Sequence, residues 1–402
     1  MRLLFLLTQD LESPSGLGRY WPLARALARR GHEVRIATLH SRWDNLQEKH
    51  QVRDGVVIDY VAPMHVIKVD NRKQYYSPLK LVVVALKATV ALTRAAFAKP
   101  VDFIHIGKPH PMNSIAGVLA ARLKRIPLGV DCDDYEAGSN RFQGKWQHAI
   151  VEFFEKRVPR SAKLVTTNTT YMKSMLLGWG NPSDHIYYLS NGVEKERFLP
   201  PASGEINLLR TSLGLDHKRV VLYSGSLSLS SHPVDLLLRA FAELTPKYPH
   251  TVLLIVGGGE DYQGMIDLSR TLGVDQSTIF TGRVDPELVT CYYHLADVAV
   301  DPIYDDEAAR GRSPLKLFES WACGVPVVSA EVGDRLMLIG SPPAGLLVKP
   351  AGDPHALADG IRQILDSKEL AQQFSERGLE RVVNYSWDYL ADGLAREYQK
   401  YL

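Results

Sequence analysis

Residues 310–330 read RGRSPLKLFESWACGVPVVSA, and this stretch is the most informative in the chain. Ser313 followed by Pro314 predicts a helix N-cap with proline at the first helical position. The free backbone N–H groups of Leu315 and Lys316 would then point out of the helix start. A helix start of this kind binds anions such as phosphate.

The rest of the stretch predicts an acid and a strand beside that anion site. Glu319 falls in the second helical turn, where its carboxylate could accept hydrogen bonds from ribose hydroxyls. Gly324 predicts the C-cap, and residues 325–328 read as a short buried strand. The segment therefore predicts a pocket for a phosphate and a sugar.

Short apolar runs alternate with amphipathic stretches in both halves of the 402-residue chain. This alternation predicts two α/β domains, each a doubly wound parallel sheet with helices on both faces. Ligands of such sheets bind at the carboxyl ends of the strands. In the first half we predict strands at 3–7, 33–38, 56–61, 103–106, 127–130, 163–166 and 185–189, with a helix at 17–30. In the second half we predict strands at 219–223, 252–256, 278–280, 298–300 and 325–328, with helices at 235–244, 262–272, 286–294 and 314–323.

The predicted domains follow from these patterns and from one turn-rich segment. Residues 1–190 form the first domain, 191–201 the linker, 202–384 the second domain and 385–402 a terminal helix. Asn191-Gly192 and Pro200-Pro201 mark the linker.

The composition indicates the cellular compartment and an uneven distribution of charge. The apolar start lacks a small-residue cleavage site, so we interpret it as a strand and not a signal peptide, and we expect no stretch near the ~20 apolar residues of a membrane span. Cys132, Cys291 and Cys323 are odd in number and widely spaced, which favours reduced thiols in a cytoplasm. Residues 1–200 hold 29 Lys and Arg against 18 Asp and Glu, and residues 201–402 hold 18 against 27. The basic first half suits a polyanionic acceptor or an anionic membrane, or it is simply a solvated surface.

Six motifs in order resemble the retaining glycosyltransferases of family 4 (group 1), which have the GT-B architecture of two Rossmann-like domains facing across a cleft. Besides residues 310–330, they are SGLGRYWPLARALARRGHEV (15–34), IYYLSNGVEKERF (186–198), VVLYSGSL (220–227), LLIVGGG (253–259) and IFTGRV (279–284). The resemblance implies transfer of a sugar from a nucleotide diphosphate to an acceptor hydroxyl. It also implies that the terminal helix packs on the first domain.

The resemblance assigns donor-binding roles. It implies contacts to the diphosphate from Gly16 and Gly18 in the SPSGLG turn (13–18), with backbone groups at Arg283 and Val284 reading the base. The residues themselves add Gly257, Gly258 and Gly259, because a buried strand that ends in three glycines can pass beneath a nucleotide base without a side-chain clash. Gly225 and Ser226 stand where the family usually has Arg and Lys, and Gly311 stands where it has a first Glu. A diphosphate leaving group needs compensating charge. Four basic residues could supply this charge: Lys316, Arg310, Arg312 and Arg19. We favour Lys316, because it lies in the first turn of the anion-binding helix.

In the first domain, DCDDYE (131–136) follows a strand, and clustered carboxylates suit proton handling or hydroxyl binding. Asp133 stands at the family's histidine position, beside the reacting sugar. Asp131-Cys132-Asp133 is also a DxD motif, which binds a metal ion in the unrelated GT-A glycosyltransferases. The interpretation as two Rossmann-like domains nevertheless predicts no metal. His105 stands where the family often has a histidine, although a lone histidine at a strand end is more often structural.

Residues 77–100 are apolar, with Lys80, Lys87 and Arg94 seven apart. This pattern is typical of a helix that lies on an anionic membrane surface. It is about as typical of a buried Rossmann helix with a basic edge. The nearby basic residues favour the membrane; they are Arg141, Lys145, Lys156, Arg157, Arg160 and Lys163.

The sequence and this resemblance therefore predict a cytoplasmic, metal-independent retaining glycosyltransferase, either free in the cytoplasm or peripheral on the inner face of the membrane. The catalytic candidates are Asp133, Lys316, Glu319 and His105. Expected partners are a UDP- or GDP-linked sugar and a carbohydrate or lipid-linked acceptor, with no nucleic acid and no cofactor. Two alternatives stay open: a degenerate GT-B protein that binds a nucleotide or glycan as a scaffold, and a sugar-nucleotide epimerase.

Overall fold

The computed structural model describes residues 1–13, 15–69, 72–139, 142 and 144–402. Pro14 of the predicted glycine-rich turn and Arg141 of the predicted basic cluster lie outside these residues. The strands are β1 Arg2–Leu6, β2 Glu33–His40, β3 His50–Arg53, β4 Val56–Pro63, β5 Val66–Val69, β6 Arg72–Tyr75, β7 Phe103–Gly107, β8 Leu128–Cys132, β9 Leu164–Thr167, β10 Ile186–Tyr188, β11 Arg219–Ser224, β12 Thr251–Val256, β13 Thr278–Gly282, β14 Val298–Asp301, β15 Val327–Ala330 and β16 Leu346–Val348.

The α-helices lie mostly between these strands. They are α1 Trp21–Arg29, α2 Pro78–Ala98, α3 Pro111–Lys124, α4 Glu136–Ser139, α5 Lys145–Arg157, α6 Thr170–Gly178, α7 Ser203–Ser212, α8 Val234–Leu244, α9 Tyr262–Thr271, α10 Val289–Tyr293, α11 Glu307–Arg310, α12 Leu315–Ala322, α13 Arg335–Ile339, α14 Pro354–Asp366, α15 Lys368–Arg381 and α16 Trp387–Gln399. A π-helical turn precedes α1, and short 3-10 segments stand elsewhere; these are Gly16–Tyr20 (π) and Trp43–Asn45, Pro159–Ser161, Ser183–His185, Lys195–Phe198, Asp275–Ser277, Pro286–Leu288 and Val382–Tyr385 (3-10).

The chain divides into two units. The first contains residues 1–192, 311–313 and 387–402, and the second contains 193–310 and 314–386. The first unit has a sheet of order β10-β9-β8-β7-β1-β2-β4-β3, in which only β3 runs antiparallel, and a separate β5-β6 hairpin. The second unit has an all-parallel sheet of order β13-β12-β11-β14-β15-β16. Both units are therefore Rossmann-like, as predicted for the GT-B class.

Strand β1 shows why the first sheet is covered on both faces. Leu4 and Leu6 pack in one core with residues of α2 and α3, while Leu3 and Phe5 pack in the other with α1 and α16. Successive side chains of a strand point to opposite faces, so an unbroken apolar run needs helices on both sides. The terminal helix α16 thus belongs to the first unit.

Several boundaries differ from the sequence predictions. Helix α12 begins at Leu315, not Pro314, and strand β15 begins after Pro326 rather than at Val325. The predicted helix 286–294 is a 3-10 turn followed by α10. Strands β3, β5, β6 and β16 were not predicted. The predicted C-cap glycine, Gly324, directly follows the capping residue Cys323 and has φ +65°, as glycine at that place commonly does.

One expectation about the membrane was wrong. Helix α2 has 21 residues and, by length and composition alone, is long and apolar enough to cross a bilayer. The sequence prediction of no such stretch is therefore wrong. Its inner side is nevertheless buried in the first unit, where Val84, Ala88 and Leu92 join the core.

Candidate active site

Four of the predicted donor-binding glycines, Gly225, Gly257, Gly258 and Gly259, lie in loops that follow β11 and β12 in the second unit. The backbone N–H of Gly225 donates to the Val256 carbonyl over 2.9 Å, and that of Gly257 donates to the Gly282 carbonyl over 3.0 Å. Gly257 has φ +135°, and a Cβ built on it would lie 2.0 Å from the Gly225 carbonyl oxygen. Only glycine fits there, so these two loops are in backbone contact.

Other predicted donor residues surround these loops. The Leu227 N–H donates to the Gly258 carbonyl over 3.1 Å, and the Tyr223 hydroxyl donates to the Ser226 carbonyl over 2.7 Å. Gly259 lies close to Leu227, since a Cβ there would be 2.2 Å from the Leu227 carbonyl oxygen. Arg283 is exposed just after β13, and Val284 is half-buried against the core of this unit.

The start of α12 differs from the predicted N-cap. Pro314 is extended and occupies the N-cap position, and Ser313 lies one residue further out, in the first unit. The Ser313 hydroxyl is buried and has no hydrogen-bond partner among the described residues. The prediction that Ser313 caps this helix is therefore wrong. Leu315 and Lys316 remain the first residues of α12, where backbone N–H groups are free of helical partners.

Lys316 extends from the first turn of α12 to the loop after β11. A Cβ on Gly225 would lie 2.8 Å from Lys316 Cε and 3.2 Å from its Nζ. The Nζ atom is also 5.1 Å from the centroid of the Tyr223 ring. The lysine therefore carries positive charge to the Gly225 and Ser226 positions, where this sequence lacks the usual basic side chains.

An acid missed from the sequence lies beside this lysine. Asp301 ends β14, and its carboxylate is 3.9 Å from Lys316 Nζ and 2.8 Å from Arg335 Nη2. Burial raises the pKa of the Asp301 carboxyl, but Arg335 and Lys316 outweigh burial and hold that pKa below its ordinary value. Asp301 is thus a carboxylate that orients two cations. Its place at the carboxyl end of a strand was a signal that could have found it.

Glu319 lies one turn after Lys316 and is held by a tyrosine. The Tyr293 hydroxyl, on α10, donates to Glu319 Oε2 over 2.9 Å. Burial raises the pKa of Glu319, and Arg197, Tyr293 and Lys316 oppose that rise only in part. The second carboxylate oxygen does not receive the tyrosine bond and can serve a sugar hydroxyl. No sequence pattern pointed to Tyr293.

In the first unit, Asp133 belongs to a cluster built around Lys108, which follows β7. Lys108 Nζ is 3.2 Å from Asp133 Oδ1 and 2.7 Å from Asp134 Oδ2, and it also pairs with Glu136. Burial raises the pKa of Asp133. The Lys108 charge lowers this pKa and the neighbouring acids raise it, so the lysine does not offset burial. Burial likewise raises the pKa of Glu155, which accepts hydrogen bonds from the backbone at Glu136 and Ala137, to about 8.

A histidine without a predicted role completes this cluster. His110 Nε2 lies 3.1 Å from Glu136 Oε2, and its Nδ1 lies 2.6 Å from Thr8 Oγ1. Oxygen atoms of Asp133, Asp134 and Glu136 lie within 4.8 Å of one another, a spacing that could suit a metal ion. The Lys108 ammonium already contacts all three acids.

Two of the candidate site residues, Arg19 and His105, are buried and contact other residues of the first unit. Arg19, considered as a diphosphate cation, is buried and pairs with Asp131 over 2.7 Å, and it donates to the Leu189 carbonyl and Asn191. His105 is buried in β7 beside the Tyr398 hydroxyl, 2.8 Å from its Nδ1, and burial lowers its pKa to about 4. It is therefore neutral near pH 7 and packed under α16.

The remaining candidates are placed as follows. Gly16 begins the π-helical turn, and a Cβ there would lie 2.3 Å from the Asp10 carbonyl oxygen; Gly18 lies half-buried in the same turn. Arg310 pairs with Asp305 over 2.7 Å. The structure thus brings Gly225, Gly257 and Lys316 together in the second unit, whereas Gly16, Gly18, His105 and Asp133 belong to the first.

Solved structures define the class of fold. Sucrose-phosphate synthase from Thermosynechococcus elongatus superposes with a TM-score of 0.79 at 20% identity, covering 100% of this chain and 99% of that one. WaaG, a glycosyltransferase involved in lipopolysaccharide biosynthesis, gives 0.71 at 16% identity, with 98% of each chain covered. The fold is therefore GT-B.

Sequence comparison then gives the family. Residues 15–192 match the glycosyl transferase 4-like domain, and residues 206–381 match glycosyl transferases group 1. A D-inositol 3-phosphate glycosyltransferase of Corynebacterium diphtheriae is 27% identical over 391 residues, covering 94% of this chain and 87% of the relative. One from Rhodococcus erythropolis is 28% identical over 60% of this chain and 54% of its own length. The chain belongs to the group 1, family 4 type glycosyltransferases, and it is a glycosyltransferase with a nucleotide-sugar donor. The scaffold and epimerase alternatives are not favoured.

Proposed function

We propose that this enzyme transfers a sugar from a UDP- or GDP-linked donor to an acceptor hydroxyl with retention of configuration. The bond between the sugar and the diphosphate breaks, and the acceptor oxygen forms a bond to the same carbon on the same face. The proton of the acceptor hydroxyl goes to the leaving phosphate. The diphosphate takes the bonding electron pair, so it gains negative charge that the protein must stabilise.

One observation carries this proposal: Lys316 and Glu319 lie three residues apart on α12, and Lys316 reaches the Gly225 loop. Residues at that helical spacing share a face. The lysine and the backbone N–H groups at the helix start supply charge for a diphosphate. The glutamate, held by Tyr293, supplies acceptors for ribose hydroxyls.

We further propose that the reaction is metal-independent. Lys316 brings a positive charge to the Gly225 loop, where the diphosphate would bind. The two acids of the DxD segment, in contrast, are already paired with cations, Asp131 with Arg19 and Asp133 with Lys108. In the first unit we propose that Asp133 acts on the acceptor.

The acceptor that we propose is an anionic polyol or a lipid-linked glycan. The curated relatives are named for D-inositol 3-phosphate, a phosphorylated polyol. The first 200 residues carry 29 basic against 18 acidic residues, which suits an anionic partner. We propose a cytoplasmic enzyme that is peripheral on the membrane, in keeping with its unpaired cysteines Cys132, Cys291 and Cys323.

The test is a panel of UDP-, GDP- and ADP-sugars measured by thermal shift and by release of free nucleoside diphosphate, with inositol phosphate as one acceptor. A selective donor should raise the melting temperature by mass action. Lys316→Ala should weaken nucleotide diphosphate binding roughly tenfold or more, because it removes a charge-assisted contact. The matched control is Lys218→Ala, which removes an exposed lysine of the same unit. Equal binding by both variants, or no shift with any donor, would overturn the proposed donor site.

A further inference from the structure

Helices α2, α3 and α5 lie side by side on one face of the first sheet. The sheet order explains this, because β7, β8 and β9 follow one another away from β1 and right-handed crossovers keep the connecting helices on one side. Their inner residues, such as Ala88 on α2 and Ala116 on α3, are buried in the shared core. The outer surface of this layer is called the α2–α3–α5 face below.

Helix α3 presents an apolar stripe on this face. Ile115, Leu119 and Leu123 are spaced by four residues and are 45%, 42% and 67% exposed. Residues four apart lie on one side of a helix, so these three side chains form a row. A soluble domain ordinarily places polar residues in such a row.

Helix α2 continues the apolar surface. Leu79, Leu86 and Val90 are 84%, 61% and 50% exposed, and Phe97 is also exposed near the end of the helix. A shallow depression on the same helix is lined by Leu86, Val90 and the basic residues Lys87 and Arg94.

Helix α5 adds aromatic residues to the same face. Trp146, Ile150 and Phe153 recur at the spacing of one side of a helix, and all three are exposed. Together, the three helices carry nearly half of the large apolar side chains that are exposed in the described part of the chain. A contiguous apolar patch of this kind marks an interaction site.

The charged residues of α2 and α3 have one sign, whereas α5 also carries Glu152, which pairs with Lys156. The sequences of α2 and α3 contain Lys80, Lys87, Arg94, Arg122 and Lys124 and no acidic residue. Lys124 Nζ lies 5.5 Å from the ring centroid of Phe97, and the Arg157 guanidinium lies 5.9 Å from that of Phe153. Cations therefore stand directly beside exposed apolar groups.

We infer that the α2–α3–α5 face docks on an anionic lipid bilayer, with its leucines and aromatic rings inserted at the headgroup boundary and its lysines and arginines on lipid phosphates. Apolar insertion and attraction to anionic lipid are the two forces that hold an interfacial helix. The absence of acids on α2 and α3 favours anionic lipid over a protein partner of mixed charge. This inference names the surface for the membrane association proposed above and does not depend on the transfer reaction.

The fold is incompatible with a crossing of the bilayer by α2, so the docking that we propose leaves this helix on the bilayer surface. The helix connects the β4–β6 region to β7, and β4 and β7 belong to the same sheet. A spanning helix would place those strands on opposite sides of the membrane. Its buried residues Val84, Ala88 and Leu92 would also leave the core.

The experiment is co-sedimentation of the full chain with vesicles of phosphatidylcholine containing phosphatidylglycerol and with vesicles of phosphatidylcholine alone. We expect binding to the anionic vesicles, weakened by salt, and little binding to the neutral ones. The double variant Leu86→Glu with Leu119→Glu should bind roughly tenfold or more weakly, since it removes apolar contacts and adds repelling charge. Lys87→Gln with Arg94→Gln should lose part of the binding and of the salt dependence.

The matched control is Leu208→Glu with Leu288→Glu, which makes the same change at leucines of the second unit that are 75% and 52% exposed. It should bind vesicles as the wild type does. The thermal shift produced by nucleotide diphosphates should be unchanged in all these variants. An error in the proposed donor site would therefore appear in the thermal shift, and an error in the proposed docking face would appear in vesicle binding. Equal vesicle binding by the two leucine pairs would overturn the inference. So would a dimer in sedimentation velocity that the Leu86→Glu, Leu119→Glu variant dissociates, because the face would then join two copies.

Discussion

The Tyr293 hydroxyl donates a hydrogen bond of 2.9 Å to Glu319 Oε2 and so ties α10 to α12. Tyr293 is 1% exposed, and its ring packs edge-on against Phe198. A phenol fixed in this way sets the rotamer of the glutamate. The acid predicted to hold the donor's ribose is therefore positioned by a residue that does not itself lie on the helix with the lysine.

Tyr293→Phe should weaken the donor site and move the pH dependence of transfer. The hydrogen bond favours the carboxylate, so its loss raises the pKa of Glu319 further. As pH falls, activity that needs the carboxylate should then be lost at a higher pH than in the wild type. A hydrogen bond to a charged group contributes about 1.5–3 kcal/mol, which corresponds to roughly one to two pKa units.

The measurement is the pH profile of kcat/KM for the donor, with Tyr292→Phe as the matched control on the same helix. The control should leave the profile in place. An unchanged acid limb in Tyr293→Phe would show that Glu319 does not act as a carboxylate in the rate-limiting step.

Lys108→Met should destabilise the first unit, and more so as pH rises. A single ammonium faces Asp133, Asp134 and Glu136, so its removal leaves buried carboxylates uncompensated, a change that costs about 3–5 kcal/mol. Burial already raises the pKa of Asp133, and loss of the lysine raises it further. Loss of the lysine also removes the charge that lowers the pKa of Glu136, so burial then raises that pKa above its unfolded value. Stability is then present at pH below the unfolded pKa and is lost as pH rises through the folded one.

Urea unfolding at about pH 5 and about pH 8 measures this difference directly. The free energy of unfolding lost by Lys108→Met should be larger at the higher pH. Lys163→Met, at an exposed position of the same unit, should show a small loss that does not change with pH. A pH-independent loss in Lys108→Met would mean that packing, and not charge, is what the lysine contributes.

Site residues that directly follow a strand could be predicted from the sequence. Residues that are placed by a contact with a residue distant in the sequence could not. Gly257 and Asp133 follow strands, and the rule about carboxyl ends of parallel strands predicted them as site residues, whereas Gly225 was assigned by the resemblance to the family. Lys108 and Asp301 obey the same rule and could have been found. Tyr293 could not, since its bond to Glu319 joins two helices and leaves no periodic signal. The Arg19–Asp131 pair, 112 positions apart, is of the same kind.

Ser313 shows how tertiary context changes a local prediction. A serine before a proline is a sound N-cap signal, yet Pro314 has ψ 98° and the helix begins one residue later. The Asn191 side chain donates to the Ser313 carbonyl over 3.4 Å, so residue 313 is held in the first unit while α12 belongs to the second. Strand β3, with the sequence HQVR, was missed because an antiparallel edge strand needs no apolar run.

Gly257→Ala should damage the donor loops, whereas Gly264→Ala should not. Gly257 has φ +135°, a conformation that other residues rarely adopt, and a Cβ there would lie 2.0 Å from the Gly225 carbonyl oxygen. Backbone strain of this kind costs about 1–3 kcal/mol before the clash is counted, and relief of the clash must move the loop that Lys316 covers. We expect a lower melting temperature and a loss of the thermal shift produced by nucleotide diphosphates. Gly264 lies in α9 with no heavy atom within 4 Å of an added Cβ, so alanine there should stabilise the helix by about 0.5–1 kcal/mol and preserve nucleotide binding. If Gly257→Ala instead kept full nucleotide affinity, the contact between these two loops would have no part in holding the donor.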